Sequence, residues 1–136
     1  MESDGHDFLR KRIFKMDRQT QAREIRKLEA APDVMLGSVH AVTEAGQFVT
    51  ASASGSQLGP YASGAGQLIL VVGSQKLVPD LDAALRRISN HVQPYEDDRL
   101  PKQTGVGTQL ARILILERDF SPGRTTIVLV REPVGV

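Results

Sequence analysis

The chain has 136 residues, 40% of them hydrophobic and 24% charged, with a formal net charge of +1. A single domain with a real core fits that length, and the composition excludes a mainly disordered or fibrous chain. With no cysteine present, the chain offers no disulfide, thiolate zinc site, iron–sulfur cluster or cysteine nucleophile. Balanced charge and 4% aromatic residues leave no electrostatic footprint for nucleic acid. The longest apolar run, Leu68 to Val72, is far too short for a membrane span. Met1 to Arg12 is charged throughout and carries no secretory signal, so a cytoplasmic, membrane-free protein is expected.

Asp7 to Ala31 is rich in helix-forming Arg, Lys, Glu, Gln and Leu, with Leu9, Ile13 and Met16 and then Ile25 and Leu28 at helical spacing. Asp17 is placed to cap a second helix, and Pro32 ends it. Acidic residues among the Arg and Lys side chains make this a solvated helix face rather than an RNA-binding one. We therefore divide the chain into an N-terminal helical segment, 1–31, and an α/β domain, 32–136.

Short apolar and alternating runs place strands at about 34–37, 39–43 and 47–51, the last two joined as a hairpin by the Glu44-Ala45-Gly46 turn. Ser52 to Gly66 is rich in small residues but holds Leu58, Pro60 and Tyr61, which are too apolar for a spacer. Its order, a Ser/Gly loop and then a helix-compatible segment before a strand, can gather backbone N–H groups toward an anion or simply form a tight structural turn. It has neither the P-loop ending nor the dinucleotide glycine spacing.

Leu68 to Val72 is apolar on both faces, as a central parallel strand is. A helix follows near Pro79-Asp80, with proline in its first turn and Leu81, Leu85, Ile88 and Val92 as its apolar stripe. Arg86 and Arg87 sit where positive charge suits the helix dipole. Gln93 to Gln109 reads as irregular, and Ile113–Leu116 and Thr126–Val130 read as a second hairpin around a type II turn at Ser121-Pro122-Gly123-Arg124.

Three places could carry chemistry. Glu44 sits at a strand end beside Thr43 and Gly46, as a turn residue or a functional carboxylate. Lys76 follows Gln75 at the carboxyl end of the central strand, the edge where open α/β sheets bind ligands, although a solvated lysine fits as well. His6, His40 and His91 lack metal-ligand spacing, so no metal is expected, and His40 is the histidine that can reach a pocket. No nucleophile elbow of the Gly-x-Ser-x-Gly type is present.

Ser38-Val-His-Ala-Val-Thr-Glu-Ala-Gly46, the Ala51 to Gly66 stretch and Val71-Val-Gly-Ser-Gln-Lys-Leu-Val-Pro-Asp-Leu81 together resemble the LUD domain of the lactate-utilization proteins. The ending Pro122 to Gly135 is similar to that family's terminal hairpin, and the likeness runs from about Asp17 to Val136. The resemblance implies a fold like those of CoA-transferases, ribose-5-phosphate isomerase and glucosamine-6-phosphate deaminase: an open α/β sheet with flanking helices and a C-terminal β-hairpin. The family's usual N-terminal βαβ portion has no counterpart before Asp17. It further implies a bacterial accessory or ligand-binding subunit linked to oxidation of lactate to pyruvate, with no cofactor of its own, iron–sulfur partner subunits and a homo-oligomeric state. The expected ligand is a small carboxylate or phosphorylated metabolite, in a pocket of Thr43, Glu44 and Gly46, the loop residues Ser54, Gly55, Ser56, Gln57 and Gly59, and Gln75 with Lys76. The alternative implied by the same fold relatives is an acyl- or CoA-transferase-like or sugar-phosphate-isomerase-like enzyme, with Glu44 as nucleophile or catalytic group.

Overall fold

Helix-forming sequence opens the chain but breaks in two. The computed structural model describes residues 7–99 and 110–136, with α1 at Leu9–Phe14 and α2 at Ala22–Ala30. Asp17 does not cap α2: its carboxylate accepts from the Gln19 N–H, which closes a turn between the helices, and Gln21 stands at the N-cap. Ile13 and Ile25 are the buried residues of the pair.

Seven strands follow among the described residues, in two sheets. β1 (Val34–Gly37), β4 (Gln67–Gly73) and β7 (Thr125–Val130) form an all-parallel sheet in the order β1-β4-β7. β4 is its centre, as its two-faced apolar sequence requires. The second sheet is mixed, in the order β5-β2-β3-β6, from β2 (Ala41–Thr43), β3 (Phe48–Ser52), β5 (Leu77–Val78) and β6 (Arg112–Leu116). β2 and β3 pair antiparallel about the expected turn, where Gly46 has φ +88°, a conformation that disfavours any Cβ. The result is an open α/β architecture with flanking helices.

The second hairpin does not form. β6 pairs antiparallel with β3, and β7 pairs parallel with β4 in the other sheet. The turn itself is as expected: Gly123 has φ 75° and the Arg124 N–H donates to Ser121 O. It carries the chain from one sheet to the other, β6 pairing along its whole length with β3 and β7 along its whole length with β4.

Leu68, Leu70 and Val72 point from β4 into the space between the sheets, against Val39 and Tyr61, with Val42, Phe48, Leu114 and Leu116 closing the cluster. Behind the mixed sheet, Ala41, Val49 and Ala51 meet Ala84 of α3 (Leu81–Arg87) and Ile88 just after it. Asp80 caps α3, its carboxylate accepting from the Ala83 N–H, so Pro79 precedes the helix instead of entering its first turn. A π-helical turn at Ile88–Val92 continues α3 into α4 (Gln93–Arg99). The first part of the stretch read as irregular is therefore helix, and residues 100–109 of it lie outside the described residues.

The other face of the parallel sheet is open at its edges. Val34, Leu36 and Val128 are 52%, 62% and 45% exposed, and the register puts them on one side with Ile69 and Val71.

Candidate functional site

The segment from Gly37 to His40, between β1 and β2, is held by three elements. The first is a π-helical turn at Pro60–Gly64, which buries Tyr61. The Tyr61 hydroxyl donates to Ser38 O (2.9 Å) and accepts from the Ser38 N–H (3.1 Å), satisfying both backbone groups of one residue. Gly37 is required beneath it, because a Cβ there would collide with that hydroxyl. Arg124 anchors the π-helical turn in its place: its guanidinium donates to Pro60 O, Tyr61 O and Ala65 O and pairs with Asp119 at 2.7 Å.

The second element is the single turn of 3-10 helix at Ser74–Lys76, between β4 and β5. Lys76 is 3% exposed, and its ammonium donates to Ser38 Oγ at 2.9 Å. Its neighbour Gln75 turns away, gripping the Val134 and Gly135 carbonyls with its amide nitrogen and the Val134 N–H with its oxygen. That lays Gly135 beside the Lys76 ammonium. The third element is α3, from which Arg87 Nε donates to His40 O at 2.9 Å.

His40 is where the β2–β3 ladder breaks. Its N–H donates to Val49 O although Val49 stands opposite Ala41. Two residues further along β3 the Ala51 N–H meets the imidazole, donating to Nδ1 at 2.9 Å, with Thr50 Oγ1 at 3.4 Å from the same nitrogen. A nitrogen that accepts a backbone N–H is the unprotonated one, so the ring's proton sits on Nε2. Burial, reinforced by the charges of Lys76 and Arg87 and opposed by Glu96, pushes the His40 pKa down to about 4. The ring is neutral at pH 7.

An open cleft of about 340 Å³ starts at this ring. Ser52, Ser54 and Gln57 line one wall and Glu96 with Arg99 another, and Leu110 contributes an apolar patch. Ser52 Oγ accepts the Gly55 N–H at 2.9 Å, and Ser54 Oγ bonds to the Ser56 hydroxyl and N–H. Gly55 has φ +81°, so the loop depends on glycine there. Arg99 and Glu96 pair at 2.7 Å. The walls thus offer one imidazole N–H donor, several hydroxyls, an amide and an ion pair, a set that suits a small polar ligand.

The expected pocket residues fall into separate groups. Ser54 and Gln57 line the cleft beside His40, with Gly55 and Ser56 shaping its loop and Gly59 leading into the π-helical turn. Lys76 stands behind His40, and Gln75 is engaged with the chain's last residues. Thr43, Glu44 and Gly46 lie at the opposite end of the β2–β3 ribbon, Glu44 about 13 Å from His40 at the rise of a strand. There Thr43 Oγ1 pairs with Gln47, the Glu44 N–H donates to Val78 O, and the Glu44 side chain is exposed.

Sequence reasoning passed over Arg87, Glu96 and Arg99. Arg87 could have been found: it follows Ala84 by three residues and precedes Ile88, on the buried side of its helix. Glu96 and Arg99 were hidden because Pro94 suggested irregular chain, whereas Pro94 directly follows the π-helical turn in a helical run that continues through α4.

A model of the LUD domain matches residues 2–130. The chain belongs to the LUD-domain family. The match takes in residues ahead of Asp17, beyond the motif blocks around Ser38, Ala51 and Val71. Neither the curated proteins nor the solved structures provide a match. In this LUD-domain protein the Ser38 to Gly46 block serves both ends of β2: Ser38 and His40 at the cleft, Thr43 to Gly46 at the turn. No helix among the described residues is long and apolar enough to cross a membrane.

Proposed function

We propose that this LUD-domain protein is a small-metabolite-binding subunit linked to lactate utilization, the process with which the family is associated. The observation that carries the reading is the neutral His40 ring, fixed by the Ala51 N–H so that Nε2–H serves a ligand in the cleft. A carboxylate or phosphate oxygen accepts that proton, and the Ser52–Gln57 loop supplies the further donors. Partnership with redox subunits of the lactate system, or with a second copy of the chain, would use exposed apolar surface such as Val34, Leu36 and Val128. The alternative of Glu44 as an acyl-accepting nucleophile gains no support from an exposed side chain at the far end of the ribbon.

Titration of the isotope-labelled full chain with lactate, pyruvate and a sugar phosphate tests the reading. Saturable shifts of the Ala51 to Gln57 amides, abolished by His40→Ala, are expected with at least one of them. No saturable shift in that segment with any of the three would overturn it. Co-purification with iron–sulfur subunits, when these are co-expressed, tests the subunit role.

A further inference from the structure

Among the described residues, Lys76 and Arg87 are a pair of cations without a counter-ion. Lys76 is 3% exposed, and its single hydrogen bond goes to a neutral hydroxyl, Ser38 Oγ. Arg87 spends Nε on a backbone carbonyl, and its Nη2 is buried with no partner. Among the described residues neither side chain has a carboxylate within 4 Å. The two are brought together by the same short segment, since their partners Ser38 and His40 are two residues apart.

Each cation also raises the cost of the other. Burial lowers the pKa of Lys76, and the nearby charge of Arg87 lowers it further. Burial likewise lowers that of Arg87. Burying a charge is unfavourable unless it is paired, and an orphaned guanidinium N–H adds its own desolvation cost. A fold stabilised by packing alone would place Met or Leu at both positions. Arg87's planar fork and the compact charge of Lys76 are together suited to a carboxylate or a phosphate.

We propose that Lys76 and Arg87 form an anion subsite behind His40, filled by the carboxylate or phosphate group of a small metabolite. This deepens the small-ligand reading and rests on it: His40 Nε2–H contacts the ligand from the open cleft, and the two cations hold its charged end. The neutral imidazole then keeps a third positive charge out of the site at pH 7.

The test is thermal unfolding of the full chain in inorganic phosphate and, separately, in sodium lactate, each against sodium chloride at equal ionic strength. One of the two anions raises the Tm saturably, by about 5 °C at concentrations well above its Kd, and which of them does so assigns the group. Lys76→Met and Arg87→Met keep or raise the Tm without anion and weaken the response at least tenfold. If either variant loses its cooperative transition, the Arg87 Nε–H resonance of the unaltered protein serves instead, shifting with the same midpoint. A Tm that follows ionic strength alone, variants that respond as the parent does, or an unmoved Arg87 resonance would each overturn the subsite. A Lys76-dependent Tm response without shifts at Ala51 to Gln57 would uphold it and sink the His40 cleft reading.

Discussion

The two ends of the β2–β3 ribbon share their strands and differ in almost everything else. At the tip the chain satisfies itself: Thr43 and Gln47 bond to each other by backbone and side chain, and Gly46 supplies the left-handed turn. The turn residues Glu44, Ala45 and Gly46 reach solvent, and little depends on their identity, while Thr43 is buried beneath them and Gln47 also donates to Glu117. At the base, Ser38 and His40 depend on Tyr61, Lys76 and Arg87, which arrive from three distant parts of the sequence. Polar groups there are buried, and donors outnumber acceptors. A strand end organised by long-range contacts holds polar atoms in fixed places for a ligand, whereas one closed by a local turn needs none.

That contrast can be tested by substitution and by pH. Gly37→Ala is expected to be the most damaging, costing about 3 kcal/mol or more, because its methyl group meets the Tyr61 hydroxyl inside a packed core. Urea unfolding would measure it, and a near-neutral result would mean that the base of the ribbon is looser than described. Acid acts next. The folded pKa of His40 is about 4, below the ordinary 6.5. The unfolded chain therefore binds the extra proton first, and stability present above pH 6.5 is lost as pH falls toward 4. The loss is up to about 3 kcal/mol, and His40→Ala should flatten that limb of the stability–pH curve relative to the parent. Parallel curves for the two proteins would contradict the buried, neutral ring.

Tyr61→Phe removes the partner of two Ser38 backbone groups and should cost about 2 kcal/mol in the same unfolding experiment. At the tip the effects shrink. Gly46→Ala strains a positive φ and costs about 1 kcal/mol, and Glu44→Gln stays within about 0.5 kcal/mol. Tip variants as costly as Gly37→Ala would erase the distinction between the two ends.

Much of the architecture was legible in the residues. The two-faced apolar run of β4 and the Glu-Ala-Gly turn are local signals, and each appears where expected. The misreadings share a cause. β6 and β7 flank a proper type II turn, yet each pairs with a strand from more than forty residues earlier. Turn chemistry is local, but partner choice is decided by the apolar surface each strand can bury. Asp17 likewise has a capping side chain, spent on its own turn.

The candidate site divides along the same line. A cysteine-free α/β chain, a small-residue loop beside a strand end and the motif blocks of the LUD family are all readable from the order of the residues. Only the tertiary structure separated Glu44 from Lys76 by the length of a ribbon, turned the His40 ring onto the Ala51 N–H, and drew Arg87 inward from its helix. The reason is physical. Spacing along a chain fixes which face of a strand or helix a residue occupies, while the burial, pairing and protonation of its side chain depend on residues that folding brings from elsewhere.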